Sequence, residues 1–592
     1  MEVDLKRRTD GFITVEGGVD SGRSATLLQK NQLAWANNVT MRGGFAKPRL
    51  VYHQILDGGV LADGRFQHAA FFNGVTRPQL MCVISGKPYA ISCDDFSVRD
   101  VSIPGDPNLS TKLIGWSVTA EKWWLYQDND SKCLIYDGAS SRRSEAAAYE
   151  VPVGNVMEYA FGRVVVALKN GTSFRIGDLV YGPSGTEINE NRDSVLKFTE
   201  TLFANEGGDF IERRFGGPSN SGKITAMRQS VVLNTALGQG PMIVGTQNTV
   251  FSINLPFDRT TWKDINSVLQ SVAMVGNGPT GQNSTTLVNG DIFYRALDGE
   301  HSLFLSVRNF GQWGNTSQSS EVERSLSKDP TWLLQFGSSV NFDNRMLMTA
   351  RPTITDYGIY HDELLSMDFD LISSLGQKLN PVWEGSWTGL KVLQLVYGVV
   401  DNVERCFVFA LNDDNRIELW ELLKTGTNDD GERIPMTLET PRYAFSTANQ
   451  FGISQPRSFG ANRLDGAQLF LEKCEGQIDG VLMYRSDGAG PWLPWATFSF
   501  CATICDDAVE DCGPPANLRS QSRVKIRFPT PLDTDDIPNA KLNRVGFDFQ
   551  ARLQITGYCN VVSFRLNAYD EQEFPYYEIG STDCVRLTGC DV

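Results

Sequence analysis

The chain has 592 residues, a formal net charge of −16 and a hydrophobic fraction of 41%. That length exceeds what one ordinary core supports, so a large body and at least one smaller domain are expected. The composition excludes a disordered chain, and the acidic balance disfavours general adhesion to a nucleic-acid backbone.

Residues 1–60 read as an N-terminal leader. Met1 to Arg8 carries charge without the apolar stretch of a secretory signal. Gly17-Gly18 opens a turn-rich segment, and Leu27, Leu28, Leu33 and Trp35 are spaced to form one side of a short helical turn that Asn37-Asn38 stops. Arg42 to Arg49, with Gly43, Gly44 and Pro48, turns the chain into the body.

Residues 61–440 read as the body. Six stretches share one layout, an aromatic and β-branched run, a polar turn and a second short run. They begin at Trp123, Val164, Met242, Ile292, Arg345 and Cys406. This repetition predicts an all-β chain with a β-propeller-like body. Asn170-Gly171 suits a type I′ hairpin turn, and Asp298-Gly299 and the Asn412 to Asn415 segment repeat the device. Polar connections at 183–220, 311–330 and 360–385 read as inserted loops, the last two holding short helices such as the one around Ser320 to Leu326. Residues 441–592 form a C-terminal cysteine-rich β domain or a closing blade, with runs at Leu469, Val481, Val524 and Val545. No apolar run reaches the length of a membrane span.

Of the 11 cysteines, Cys82, Cys93, Cys133 and Cys406 are scattered, whereas Cys474, Cys501, Cys505, Cys512, Cys559, Cys584 and Cys590 crowd the C-terminal quarter. Disulfides, buried thiols and a zinc site at Cys501, Cys505 and Cys512 are the alternatives, although that spacing lacks the second close pair and the histidine that structural zinc usually shows. Asp506, Asp507, Glu510 and Asp511 are dense enough to attract a hard cation but do not follow an EF-hand loop. None of the four histidines (His53, His68, His301, His361) has metal-ligand spacing, and His361-Asp362-Glu363 reads as an exposed loop. Asp368 with Asp370 and Glu418 with Glu421 are the carboxylate pairs that glycoside hydrolysis would call on. Gly276 to Ser284 is Gly-rich but lacks the Lys-Ser/Thr ending of a phosphate loop, and Gly311 to Gly314 is similarly loop-like. Trp383, Trp387, Trp492 and Trp495 suit buried anchors or subunit contacts better than a sugar platform. No residue is assigned a catalytic, cofactor-binding or metal-binding role, and no cofactor is expected.

The leader and the body together resemble a known family. Gly17-Gly18, Leu27-Leu28, Asn31-Gln32-Leu33-Ala34-Trp35-Ala36-Asn37-Asn38, Arg42-Gly43-Gly44 and Pro48-Arg49 are similar to the openings of virion proteins of short-tailed bacteriophages, in particular the tail nozzle, also called tail tubular protein B. The resemblance covers about the first 50 residues and implies a non-enzymatic structural role. It implies a homohexameric ring below a tail adaptor protein, with tail fibres or spikes at its flank and genomic DNA passing through the lumen without specific binding. On that footing some acidic loops between 183 and 210, or between 276 and 300, are expected to line a lumen, and Arg213, Arg214, Arg324 and Arg345 either to pair with acidic loops of the next copy or to stay solvent-bound. The expected location is the virion tail, after assembly in the host cytoplasm. The cysteine-rich C-terminal quarter departs from the family. A glycan-binding propeller or a glycoside hydrolase is the alternative.

Overall fold

The computed structural model describes residues 7–180, 193–199, 221–230, 240–253, 269–275, 277–303, 317–373, 380–445, 461–488, 490–502, 523–531 and 544–570. The chain is all-β and divides into two units. One combines residues 1–48 with 433–592, and the other spans 49–432. The leader is therefore not a domain of its own. It folds with the C-terminal region, because its strands find their hydrogen-bond partners there.

Among the described residues, the 49–432 unit is a β-propeller of seven antiparallel blades. Their innermost strands are Phe66–Phe72, Trp116–Ala120, Gly154–Ala160, Ile224–Gln229, Thr285–Val288, Ser339–Phe342 and Lys391–Val400. The second strands are Gln79–Ile84, Trp123–Gln127, Arg163–Leu168, Met242–Thr246, Asp291–Ala296, Arg345–Thr355 and Val403–Leu411. Six of these seven contain the apolar runs seen in the sequence. Each second strand is paired on both edges and covered on both faces by neighbouring blades, which demands an uninterrupted apolar run. Trp123–Gln127 and Met242–Thr246 are buried at every position. The run missed in the first blade is Leu80-Met81-Cys82-Val83, buried in the same way.

The core is correspondingly a series of clusters at the seams between blades. Met81, Val83, Trp124 and Tyr126 fill the seam of the first and second blades. Leu347, Leu364, Val408 and Leu422 fill that of the sixth and seventh. Phe66, Leu80, Phe407 and Phe409 close the ring from the seventh to the first. The outermost strand of the seventh blade is Val51–Leu56, which pairs with Ile417–Leu423, so the two ends of this unit are joined in one sheet.

Arg49 anchors that closing strand. Its buried guanidinium makes a bidentate contact with Asp429 at 3.1 and 2.6 Å, donates to the Leu50 and Thr388 carbonyls, and lies 3.8 Å over the Tyr52 ring. A lysine cannot reproduce that fork. Arg49→Lys should lower stability by about 1–2 kcal/mol and speed amide exchange over residues 51–56. An unchanged urea midpoint would show that the strand holds without its anchor.

Tight turns link the strands. Phe161-Gly162, Asn289-Gly290, Asp343-Asn344 and Asp401-Asn402 join first to second strands with both central residues at positive φ, as type I′ turns require. The hairpin at Asn170-Gly171 exists, but it is not a type I′ turn. It is a longer loop between Arg163–Leu168 and Phe174–Ile176 in which only Gly171 has positive φ and Asn170 Oδ1 accepts from the Thr172 and Ser173 amides. The helix near Ser320 is a 3-10 turn, Ser320–Val322, running into Glu323–Leu326. No helix stands between 360 and 373 or between 380 and 385. Gly358–Ser373 and Asn380–Trp387 are strands of the sixth blade, held by antiparallel pairing that overrides local propensity.

In the other unit, Asn462–Ser486 and Phe549–Asp570 pair antiparallel along most of their length. Leu493–Ala502 and Arg523–Phe528 flank the first, and Pro435–Glu439 and Arg7–Phe12 flank the second. The alternating burial of Asn462–Ser486 shows one packed face and one partly solvated face. The expected helical turn over Leu27 to Trp35 does not form. Trp35–Asn37 is a strand on Pro435–Glu439, Leu28 and Leu33 are buried, and Leu27 is exposed.

Candidate functional site

The innermost strands have no inner neighbour, so their open edges border the propeller axis, and polar residues stand among the apolar ones there. All seven blades contribute to the wall of an axial cavity of about 690 Å³. Glutamines lock neighbouring wall segments together. Gln394 Nε2 donates to the Ala69 carbonyl at 2.6 Å while its Oε1 accepts from the Ala69 amide at 2.9 Å. Gln282 makes the same paired contact with Met227, at 2.9 and 2.7 Å. Each amide side chain replaces a missing ladder bond between blades, which fixes the wall before any ligand arrives.

Among the lining residues, one acid faces one base. Arg228 Nη1 lies 3.7 Å from Glu158 Oε2, and Arg228 Nε donates to the Thr285 carbonyl at 3.0 Å. Burial raises the Glu158 carboxyl above its ordinary range, and Arg228 and the Gln229 amide pull it back. His68 contacts Ser117 Oγ at 2.7 Å, and burial pushes it down to about 3, so it is neutral at pH 7. Asn73, Thr119, Asn283 and Asn341 add polar groups, and Phe71, Tyr159 and Tyr397 add rings. This wall can accept and donate hydrogen bonds and cover an apolar face, with no net charge.

The candidates singled out in the sequence lie elsewhere. Asp368 is fully buried and ion-paired with Arg345, and Asp370 accepts from the Asn344 amide group. Glu418 accepts from Asn412 and Trp420, and Glu421 takes the Arg405 fork. The two pairs therefore sit on separate blades, with partners already in place. His361-Asp362-Glu363 is not an exposed loop. It lies within Gly358–Ser373, where His361 is buried and pushed down to about 4 and Glu363 pairs with Arg351 at 2.6 Å. Trp383 and Trp387 are buried, Trp383 donating to the Gln318 carbonyl. Trp492 is held between Arg485 and Arg552, 4.4 and 4.2 Å from its ring, and Trp495 donates to the Pro529 carbonyl.

Cys82, Cys93, Cys133, Cys406, Cys474 and Cys559 are free and buried, and burial raises every one of these thiols, so they pack as small hydrophobes. Cys501 is disulfide-bonded, not a metal thiolate. Cys505, Cys512, Cys584, Cys590 and the acids between Asp506 and Asp511 lie outside the described residues, as do Gly276, the Gly311 to Gly314 segment, Arg213, Arg214, and the 183–210 loop apart from residues 193–199. Among the described residues no cluster of His, Cys, Asp or Glu is arranged to hold a metal ion, and no helix is long and apolar enough to cross a membrane.

One interface expectation, that of Arg345, is corrected. Arg345 is interior, bound to Asp343, Asp368 and Glu384 of its own blade. In the 276–300 segment Glu300 is buried in the seam of the fifth and sixth blades and Asp298 pairs with His301 at 2.8 Å. Arg324 is exposed on its short helix. The sequence signal for the axial site was weak, because strands facing a polar cavity lose the apolar periodicity that marks a strand.

No family model matches the chain, and no curated protein matches it. Among solved structures, the chain is similar to the extracellular domain of a one component system from B. thetaiotaomicron, at 9% identity and a TM-score of 0.27, covering 66% of this chain and 57% of that one. It is similar to YCF48 bound to D1 peptide at 7% identity and a TM-score of 0.33, covering 64% and 96%. It is also similar to the Pan2 WD40 domain of Neurospora crassa at 10% identity and a TM-score of 0.33, covering 64% and 97%.

Proposed function

We propose that the chain is a structural subunit of a short-tailed bacteriophage tail, a nozzle component whose copies form a hexameric ring around the DNA exit channel. The ring joins a tail adaptor protein and carries tail fibres or spikes, and the chain acts without catalysis or cofactor in the virion tail.

The observation that carries this reading is the leader. Several motif residues that carry its resemblance to nozzle proteins, though distant in sequence, are joined by backbone hydrogen bonds. The Gly17 amide donates to the Asn31 carbonyl at 3.0 Å, Leu33 to Gly18 at 2.8 Å, and Val15 to Gly44 at 3.0 Å. Gly18, Gly43 and Gly44 have φ of +69°, +96° and +83°, and a Cβ on Gly17 would meet the Gln32 side chain at 2.7 Å. Asn38 Nδ2 donates to the Pro435 carbonyl at 3.0 Å.

The axial cavity of about 690 Å³ is of small-ligand size. Duplex DNA therefore passes between copies of the chain, not through a propeller. A net charge of −16 suits a lumen that DNA crosses without sticking.

Electron imaging of native particles with antibody against this chain tests the proposal. Label at the tip of a short tail, on an open ring, is the expected result. Label elsewhere on the particle would reject the nozzle assignment, and absence of particle label would reject the virion role.

A further inference from the structure

We infer that the axial cavity of the propeller is a binding site for a neutral polyhydroxylated ligand of mono- to disaccharide size. The inference stands on the cavity alone and does not depend on the tail assignment. A volume of about 690 Å³ lies within the range of small-molecule sites, and a long polymer would not fit inside it.

The charge pattern selects the ligand class. Glu158 and Arg228 stand 3.7 Å apart on adjoining blades. A free anion drawn to the guanidinium meets the carboxylate, and a cation drawn to Glu158 meets Arg228. A ligand with vicinal hydroxyl groups satisfies both at once, donating to the carboxylate and accepting from the guanidinium in charge-assisted hydrogen bonds. Arg228 is about one third exposed, so its head is open to the cavity. Asn283 and Asn341 each offer both a donor and an acceptor, which suits a hydroxyl group that does both. Tyr159 and Tyr397 supply rings against which the C–H face of a sugar can pack. The Tyr159 hydroxyl is held by Glu121 at 2.7 Å, so that ring is fixed in place. The Gln282 and Gln394 bridges keep the wall preformed, and the ordering cost of binding is small.

Saturation-transfer NMR on the full chain tests this with glucose, galactose, N-acetylglucosamine, maltose and lactose as probes and inorganic phosphate as the charged comparison. The expected result is saturable transfer to at least one of these sugars at millimolar concentration, unchanged when phosphate is added. Arg228→Met and Tyr397→Ala, both at part-exposed positions, should each weaken that sugar at least about tenfold. Their melting temperatures, measured alongside, separate lost binding from lost folding. Absence of transfer to every sugar in the wild-type chain would overturn the inference. So would phosphate displacing the sugar, or equal binding by both folded variants.

Discussion

Arg345→Ala should destabilise the 49–432 unit by about 3–5 kcal/mol, the cost of stripping the cation from a buried ion cluster. The Arg345 side chain is 2% exposed, and its partners Asp368 and Glu384 are fully buried. Nε reaches Glu384 at 3.0 Å, Nη2 reaches Asp368 at 3.3 Å, and Nη1 contacts Asp343 in the adjoining turn. Ser366 donates to the same Glu384 oxygen at 2.7 Å. Alanine would take this cation from the fully buried Asp368 and Glu384, whereas Asp343, partly exposed, keeps Lys424 at 3.5 Å. Replacing the whole cluster by Arg345→Met, Asp368→Asn and Glu384→Gln should recover most of the loss, because the penalty lies in the orphaned charges. Urea unfolding of both variants decides it, and a loss under about 1 kcal/mol for the alanine variant would mean that the cluster is solvated.

Glu300→Gln should be more stable than the parent chain above pH 8 and about equal to it at pH 4.5. Burial pushes the Glu300 carboxyl from 4.5 up to about 8, with Arg295 pulling the other way. Neither of its oxygens has a hydrogen-bond partner among the described residues. Asp329, which burial raises to about 6, lies 3.5 Å from Arg295 and shares that charge. A cavity of about 10 Å³ beside them has room for about one water molecule. Between 4.5 and about 8 the unfolded chain loses this proton while the folded chain keeps it. Stability must therefore fall as pH rises through that window, by up to about 3–5 kcal/mol in all. Glutamine does not titrate, so the difference between the two urea midpoints should grow from pH 5 to pH 8 and then level. A constant difference would show that Glu300 is ionised throughout.

How much was legible follows from what each strand faces. Val164 to Leu168 and Cys406 to Ala410 could be read because both faces of those strands are covered, so no polar residue interrupts them. Gly154–Ala160 and Ile224–Gln229 could not, since their inner edge borders the axial cavity, where Glu158, Arg228 and Gln229 interrupt the apolar run. Glu158 and Arg228, 70 residues apart in sequence, carry no spacing that marks them as a pair. Asn289-Gly290 is a true type I′ turn, whereas Asn170-Gly171 has the same residues in a longer loop, because the register of the flanking strands decides the turn.

By itself the sequence determined the all-β class, the repeat of the second strands and the short helix at Glu323–Leu326, because short-range patterning and close packing leave their mark on neighbouring residues. It also carried the leader motif, whose glycines are required by backbone conformations a side chain would oppose. Only the tertiary structure decided the number of blades, the closure of the seventh blade by Val51–Leu56, and the pairing of the leader with residues beyond 433. It alone placed Arg345 and Glu300 inside. These depend on contacts between segments hundreds of residues apart, and on how each charge is desolvated once they meet.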